Sequence, residues 1–214
     1  FVRGMASTAS TASMASTASS TPPTSCVSMG IMGDRTRHLQ WRVSHGELDL
    51  AWGGGPNDLK EASTPLKVVV MLIGVNNLGY KEYSPEETAR HVVNCGAVIA
   101  SRYAGVQVLI HQLLPADNTV TPTRADRASV AKVNKALGEQ LRELQRSEGR
   151  KGEPVSANIH LVDDIFPLMA NKDGSCNTKL LPDELHLNEA GYEVWATALA
   201  PHIAAAKGRW QAQR

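Results

Sequence analysis

Two short stretches of the chain carry side chains that could do chemistry together. Asn76 follows the apolar run 68–72, so its amide would lie at the end of a buried strand, where it could bind an oxyanion. Asp183 stands three residues before His186, just ahead of a predicted C-terminal helix, and the two could act as a base with its orienting acid. These are two of the three parts of an ester-hydrolysing site. The third part, a nucleophile, is not evident in the sequence.

Each of these side chains also has a purely structural interpretation. Asn76 could cap a turn, which is a common role for asparagine, and Asp183 and His186 could be the two ends of a turn that enters a helix. The adjacent acids Asp163 and Asp164 raise the question of a metal site, but no cluster of histidines or cysteines accompanies them. The sequence therefore predicts no metal site.

Composition and charge limit what the protein is expected to bind. The chain has 214 residues, of which 42% are hydrophobic, and this suits one domain of ordinary size. Its net charge is +1, from 22 basic and 21 acidic residues, so no nucleic-acid partner is predicted. The longest clean apolar run, 68–75, is far too short to span a membrane. The three widely spaced cysteines fit neither a disulfide framework nor a zinc pattern, so reduced thiols in a reducing compartment are expected.

The N-terminal segment differs in composition from the rest of the chain. Residues 5–25 are almost entirely Ala, Ser and Thr, which offer too little apolar surface to offset the entropy of ordering. Organellar transit peptides share this composition, and plain low-complexity sequence is the alternative. Because the chain starts with Phe1, we expect a fragment or an imperfect gene model. The predicted organisation is a disordered segment at 1–25, a domain at 26–207 and a tail at 208–214.

Apolar runs and helix signals alternate along the rest of the chain. Ser84 suits a helix N-cap, Pro85 the first helical position and Glu87 the reciprocal cap. Strands separated by helices predict a parallel sheet with helices on both faces, and such sheets bind ligands at the carboxyl ends of their strands, where Asn76 would lie. The predicted strands are 25–31, 67–73, 106–114 and 158–162, and the predicted helices are 36–48, 85–100, 125–144 and 189–206, with a loop at 50–65.

Three sequence blocks, in this order and among these elements, resemble those of the SGNH (or GDSL) hydrolases. The resemblance covers residues 28 to about 205 and extends to the catalytic subunits of the intracellular platelet-activating factor acetylhydrolases. It implies an α/β fold, namely a flavodoxin-like three-layer sandwich with a parallel sheet. The matching blocks are the second at 30–38, continued by 41–42 and 46–48, the third at 74–77 and the fifth at 183–186.

The resemblance also implies roles for four residues. Gly33 matches the glycine whose amide faces the oxyanion, and Asn76 matches the oxyanion asparagine. Asp183 and His186 match the acid and the base. The implied substrate is a small acyl ester, such as an acetyl ester, and no metal or organic cofactor is implied. The related enzymes imply a cytoplasmic homodimer, whereas the N-terminal composition offers an organelle as the alternative.

The family's first block, Gly-Asp-Ser with its nucleophilic serine, has no counterpart in this chain. Gly33 and Asp34 are followed by Arg35, and the run 36–42 assigns them to the second block instead. We therefore expect a fold that lacks its first strand and a site that lacks its serine. Three hypotheses follow: an incomplete sequence of an active ester hydrolase, a shortened protein that binds an acylated ligand or a partner subunit without turnover, and an enzyme that uses Ser25, Ser28 or a water activated by His186.

Overall fold

The centre of the protein is a parallel sheet of three strands. The computed structural model describes residues 26–52, 66–117, 119, 125–148 and 155–214. Within them the strands lie in chain order, β1-β2-β3, and both neighbouring pairs are parallel. The middle strand is entirely buried, whereas the first three residues of β1 are half-buried at the edge of the sheet. The strands are β1 (Val68–Met71), β2 (Gln107–His111) and β3 (Ile159–Val162).

Seven helices accompany these strands in the described part of the chain. They are α1 (Thr36–Ser44), α2 (Glu47–Trp52), α3 (Val75–Gly79), α4 (Pro85–Arg102), α5 (Arg127–Glu148), α6 (Phe166–Met169) and α7 (Glu189–Ala212), and a short 3₁₀ helix, Val155–Asn158, precedes β3. None of these described helices combines the length and the apolar character that crossing a bilayer requires.

The side chains of β2 divide the core into two apolar layers. Val108 and Ile110 belong to a cluster shared with α4 and α5, whereas Leu109 belongs to a second cluster shared with α7. This alternation follows from the period of two along a strand. Helix α4 packs on β2 and β3, while α7 packs on β1 and β2. The result is a sheet between two helical layers, which confirms the predicted α/β fold.

The start of α4 confirms the capping prediction. The Ser84 hydroxyl accepts the Glu87 backbone N–H at 3.2 Å, and the Glu87 carboxylate accepts the Ser84 N–H at 3.0 Å. Pro85 occupies the first turn, where its missing N–H leaves no hydrogen bond unmade. Because all these signals lie within four residues, the helix start could be predicted from local sequence alone.

The predicted strand at 25–31 is wrong for the residues that the structure describes. Residues 26–30 adopt no regular structure, and Ser25 lies outside the described residues. Val27 and Ile31 are 49% and 54% exposed, so the segment buries too little apolar surface to form a strand of the sheet. The predicted disordered segment, 1–25, also lies outside the described residues.

The predicted helix at 36–48 is two helices. The chain breaks at Gly46, whose φ of +88° is a left-handed conformation that favours glycine and interrupts the helix. Helix α2 then continues to Trp52, into the predicted loop at 50–65, of which 53–65 lie outside the described residues.

The end of one strand and the end of one helix also differ from the sequence-based prediction. Asn76 is not directly at the end of a strand, because β1 ends at Met71 and α3 begins at Val75. The C-terminal helix α7 continues to Ala212, so it extends into the segment predicted as a tail. Residues there pack on the sheet: the Arg209 guanidinium donates to the Gln107 side chain at 3.2 Å. Contacts from outside the helix thus support its last turns.

Candidate active site

Asp183 and His186 form a tight hydrogen-bonded turn before α7. The Nδ1 atom of His186 lies 2.6 Å from Oδ2 of Asp183. The other carboxylate oxygen accepts the backbone N–H groups of His186 at 2.7 Å and Leu185 at 3.1 Å. The His186 side chain is 71% exposed, and among the described residues its Nε2 atom has no hydrogen-bond partner. One carboxylate therefore shapes the turn and orients the imidazole, leaving Nε2 accessible.

The charge state of Asp183 determines which ring nitrogen of His186 can act as a base. Burial acts to raise the pKa of Asp183, but hydrogen bonds from the His186 ring and from the backbone of His186 and Leu185 more than offset it and lower the pKa to about 2. An ionised carboxylate only accepts hydrogen bonds, so Nδ1 of a neutral His186 must carry the proton. Nε2 is then the free acceptor, as a general base requires.

Glu184, inside this turn, adopts a left-handed backbone conformation with φ of +63°. Its carbonyl accepts the Asp117 backbone N–H at 3.3 Å and the Cys176 thiol at 3.4 Å. Its carboxylate accepts the Thr119 N–H at 3.2 Å and also binds the Thr119 hydroxyl. These contacts fix the turn against the segment that follows β2.

A hydrogen bond to Asp34 places Asn76 beside the turn that contains Gly33. Asn76 lies in the first turn of α3, and its Nδ2 donates to the Asp34 carbonyl at 2.9 Å. An amide nitrogen carries two hydrogens, so one remains for another acceptor. Gly33, directly before Asp34, has a φ of +77°, which an L side chain rarely adopts. Both Gly33 and Asn76 are half-buried, as expected of groups that line a site without filling it.

Asn77 holds α3 against the start of α1, a role that was not predicted from the sequence. Its Oδ1 accepts the Thr36 N–H at 3.1 Å, and its Nδ2 donates to the Thr36 hydroxyl at 3.0 Å and to Glu82 at 3.4 Å. Asn77 is 0% exposed, whereas Asn76 is half-buried. Two adjacent asparagines in the sequence indicated an amide at this position, but only the helix shows which one faces inward.

Charged side chains surround the turn that contains Gly33. Arg42 forms ion pairs with Asp34 and Glu47, and Asp34 is buried. Arg35, which follows Asp34, lies 3.4 Å from Glu82 and 5.1 Å from the ring centroid of Tyr80. Arg35 is thus held by structural contacts.

The two pairs of residues lie at the carboxyl edge of the same sheet. Gly74 follows β1, and a Cβ atom built on it would lie 3.5 Å from Leu113, which follows β2. Asp117, further along the segment after β2, binds the carbonyl inside the 183–186 turn. No hydrogen bond or ion pair among the described residues links His186 to Gly33 or Asn76. The structure brings the four predicted residues together as two pairs at the edge where parallel sheets bind ligands.

The sequence profile of the GDSL-like lipase/acylhydrolase family matches residues 4–194 of this chain. The chain belongs to this family. This match starts earlier in the chain than the resemblance seen in the sequence blocks, which begins at residue 28. It confirms the family that those blocks indicated. The parallel sheet between two helical layers, described above, is the fold expected for this GDSL-like chain.

Relatives of this GDSL-like chain include mammalian acetylhydrolase subunits. It is 30% identical over 170 residues to platelet-activating factor acetylhydrolase IB subunit alpha2 of Rattus norvegicus, covering 79% of this chain and 60% of the relative. It is 27% identical over 177 residues to subunit alpha1 of Homo sapiens, covering 83% and 63%. A solved structure, a provisionally assigned acylhydrolase from Bacteroides fragilis, is similar with a TM-score of 0.57 and 16% identity over 82% of this chain and 72% of that one. The chain spans less than two thirds of the length of the mammalian relatives.

A described hydroxyl that contacts His186 would be the candidate attacking group. Ser28 is exposed, and no hydroxyl in the described part of the chain binds His186. Ser25 lies outside the described residues. Within the same limits, no group of three or more His, Cys, Asp or Glu side chains is arranged to hold a metal ion.

Proposed function

We propose that the protein is a carboxylic ester hydrolase that acts on small acyl groups such as acetyl. The observation that carries the proposal is the 2.6 Å contact between Asp183 and His186, which leaves Nε2 accessible. Membership of a lipase/acylhydrolase family supports the reaction class, and the names of the mammalian relatives support the acetyl group. The proposed reaction requires no metal or organic cofactor.

In the proposed reaction, His186 moves the proton. Its Nε2 accepts the proton of the attacking hydroxyl as the oxygen of that group bonds to the ester carbonyl carbon. The carboxylate of Asp183, whose pKa of about 2 keeps it ionised, stabilises the resulting imidazolium. When the carbon–oxygen bond to the leaving alcohol breaks, Nε2 returns the proton to that alcohol. If the attacking hydroxyl belongs to a serine, a water deprotonated by Nε2 then displaces the serine oxygen from the acyl group, the carboxylic acid leaves, and the serine regains its proton. His186 therefore acts as base and then as acid.

Asn76 and Gly33 are the proposed donors to the oxyanion. The second Nδ2 hydrogen of Asn76 and the backbone N–H of Gly33 would both stabilise the negative charge that develops on the carbonyl oxygen. In comparable sites each such donor contributes about 3–4 kcal/mol to the transition state. The bond from Asn76 to the Asp34 carbonyl supports this role, because it orients the amide before substrate binds.

Three sources of the attacking oxygen follow from the proposal. They are a serine from a Gly-Asp-Ser block supplied upstream of this sequence, Ser25 or Ser28, and a water activated by His186. A fluorophosphonate probe separates a serine nucleophile, which it labels, from a water-based site, which it leaves unlabelled. Without a complete triad, about 10³–10⁴-fold acceleration over water remains available from the rest of such a site.

Hydrolysis of p-nitrophenyl acetate tests the proposal. We expect His186→Ala to abolish the turnover of the unmodified chain. His202→Ala is the matched control, because His202 also pairs with an aspartate, its Nε2 lying 2.9 Å from Oδ1 of Asp164. Turnover that persists in His202→Ala and vanishes in His186→Ala supports the proposal. Equal rates for the unmodified chain and His186→Ala would exclude Ser25, Ser28 and water as the attacking group. If His186→Ala also left unchanged the activity of a chain extended upstream to include a Gly-Asp-Ser block, the proposal would be contradicted.

A second candidate function is binding of an acylated ligand or a partner subunit without turnover. The observation that favours it is that no described hydroxyl binds His186. Calorimetry with 4-nitroacetanilide, an amide that mimics the ester, tests ligand binding. Saturable binding that Asn76→Ala weakens, in a chain with no esterase activity, would favour this second function.

We also propose that the protein acts in the cytoplasm as a homodimer. Three free cysteines among the described residues suit a reducing compartment, and two of them are buried. The word "subunit" in the names of the relatives supports an assembly. Light scattering would measure the oligomeric state, and a fluorescent fusion would distinguish the cytoplasm from an organelle.

A further inference from the structure

Asp117 is a buried carboxylate that lies outside the predicted site and contacts it through the backbone. It is 7% exposed and follows β2. Its Oδ1 accepts the Arg127 Nε–H at 2.9 Å, and its Oδ2 accepts the Cys176 N–H at 2.8 Å. Its own N–H donates to the Glu184 carbonyl at 3.3 Å. One residue therefore joins the start of α5, the segment around Cys176 and the turn that carries His186.

These contacts keep Asp117 charged although it is buried. Burial acts to raise the pKa of Asp117, but hydrogen bonds from Arg127 and from the Cys176 backbone offset this and lower the pKa below its usual value. A buried carboxylate that loses a partner is destabilised, because its charge is then no longer compensated. The charge of Asp117 is therefore compensated by Arg127 and the Cys176 backbone together.

Glu184 connects Asp117 to the proposed catalytic pair, Asp183 and His186. With φ of +63°, its backbone is in a conformation that persists only where surrounding contacts hold it. The Glu184 carbonyl receives two such contacts, from Asp117 and Cys176. The N–H groups of the next two residues, Leu185 and His186, both point to Asp183. The Glu184 carbonyl and the Leu185 N–H belong to the same peptide group, so the contacts of that carbonyl also bear on the hydrogen bond from Leu185 to Asp183.

We propose that Asp117 is a positioning residue for the Asp183–His186 pair and acts through the Glu184 carbonyl. The proposal rests on the proposed function for its catalytic meaning, although its structural part can be tested without turnover. When the Asp117 carboxylate is replaced, the Cys176 N–H and the Arg127 guanidinium lose the charged acceptor that they share, and the contacts of Asp117 and Cys176 with the Glu184 carbonyl loosen. The hydrogen bond from Nδ1 of His186 to Asp183 then weakens, and the ring can hold its proton on Nε2 instead.

The test is the imidazole ¹⁵N spectrum of His186, which reports the ring nitrogen that carries the proton. In the unmodified full chain we expect the Nδ1–H tautomer to dominate once the ring is neutral. In Asp117→Asn we expect a mixture of both tautomers, and Asp117→Glu should recover part of the Nδ1–H signal. Asp164→Asn is the matched control, since it alters an exposed aspartate beside another histidine, and we expect it to leave the His186 spectrum unchanged.

A purely structural role for Asp117 would give a different result. Asp117→Asn would then lower the stability to urea while the folded protein kept the His186 spectrum of the unmodified chain, and this outcome would overturn the proposal. If Asp117→Asn does not fold, Arg127→Gln decides, because Arg127 is half-exposed and its loss removes one partner from Asp117. A shifted tautomer population in Arg127→Gln supports the proposal, and an unchanged one overturns it.

Kinetics separate this inference from the proposed function. If the chain hydrolyses esters, kcat in Asp117→Asn should fall on the order of tenfold to a hundredfold, with KM little changed, because a misplaced base affects the chemical step. If the unmodified chain has no activity, the proposed function fails, and the tautomer measurement still decides whether Asp117 positions His186.

Discussion

Asn76 donates its side-chain N–H to the backbone carbonyl of Asp34 at 2.9 Å. This bond joins the first turn of α3 to the turn that contains Gly33, although the two residues are 42 positions apart in the sequence. It places the Asn76 amide beside the turn that contains Gly33, so the two proposed oxyanion donors lie on neighbouring segments. The Asn76 amide therefore has a structural role beside its proposed chemical role.

Replacing Asn76 should separate these two roles. We expect Asn76→Ala to lower kcat for p-nitrophenyl acetate by roughly 10²–10³-fold, as the loss of one oxyanion donor does in comparable sites. Asn76→Asp keeps the shape of the side chain but cannot donate, so it should lose a similar factor. Full activity in either variant would show that Asn76 is not an oxyanion donor.

Replacing Asn77 should affect stability more than the chemical step. Asn77→Ala leaves the Thr36 N–H and hydroxyl without their buried partner, and we expect a loss of about 2–4 kcal/mol in the free energy of unfolding. Asn76→Ala should cost only about 1 kcal/mol, since it removes one hydrogen bond of a half-buried group. Urea unfolding of the two variants compares them directly, and the opposite order of stability would refute this assignment.

The sequence predicts best those features that depend on neighbouring residues. The N-cap at Ser84 and the strand within the run 68–72 are both set by local side chains, and both were predicted. The helix break at Gly46 was missed, because a glycine inside a helical pattern does not by itself reveal its φ. The strand predicted near Val27 failed because strand formation depends on a partner elsewhere in the chain.

The same distinction applies to the candidate site. Asp183 and His186 are three residues apart, so their pairing follows from one turn, and the sequence blocks were sufficient to single them out. The contribution of Asp117 comes from a segment 66 positions before Asp183 and reaches the turn through a backbone carbonyl. Backbone acceptors are present at every residue, so no sequence pattern could single out this contact.

The lowered pKa of Asp183 predicts how its contribution to stability depends on pH. The pKa falls from an ordinary value of 3.8 to about 2 in the folded protein, so the folded state favours the ionised carboxylate. The stabilisation is therefore fully present above about pH 4 and is lost as the pH falls through about 2. We expect the difference in unfolding free energy between the unmodified chain and Asp183→Asn to shrink as the pH falls below 4.

Urea unfolding at a series of pH values measures this difference. Asp164→Asn serves as the control, because that carboxylate is mostly exposed and pairs with a different histidine. A difference that grows as the pH falls below 4 would mean that Asp183 is not stabilised in its charged form.

A side chain at Gly33 should be unfavourable because of the backbone conformation and not because space is lacking. Among the described residues, a Cβ atom at this position would meet only the Tyr80 hydroxyl, at 4.0 Å, but the φ of +77° is left-handed. We expect Gly33→Ala to cost roughly 1–2 kcal/mol in unfolding free energy or to shift the turn towards negative φ. A shifted turn would move the proposed oxyanion N–H, so kcat should fall as well.

Gly30→Ala is the matched control for Gly33→Ala, because a Cβ atom there meets nothing within 4 Å and the backbone needs no positive φ. We expect Gly30→Ala to retain both the stability and the activity of the unmodified chain. Urea unfolding and p-nitrophenyl acetate kinetics on the two variants provide the comparison. If Gly33→Ala behaves like Gly30→Ala in both, the turn does not require its left-handed residue, and the proposed role of the Gly33 N–H loses its structural support.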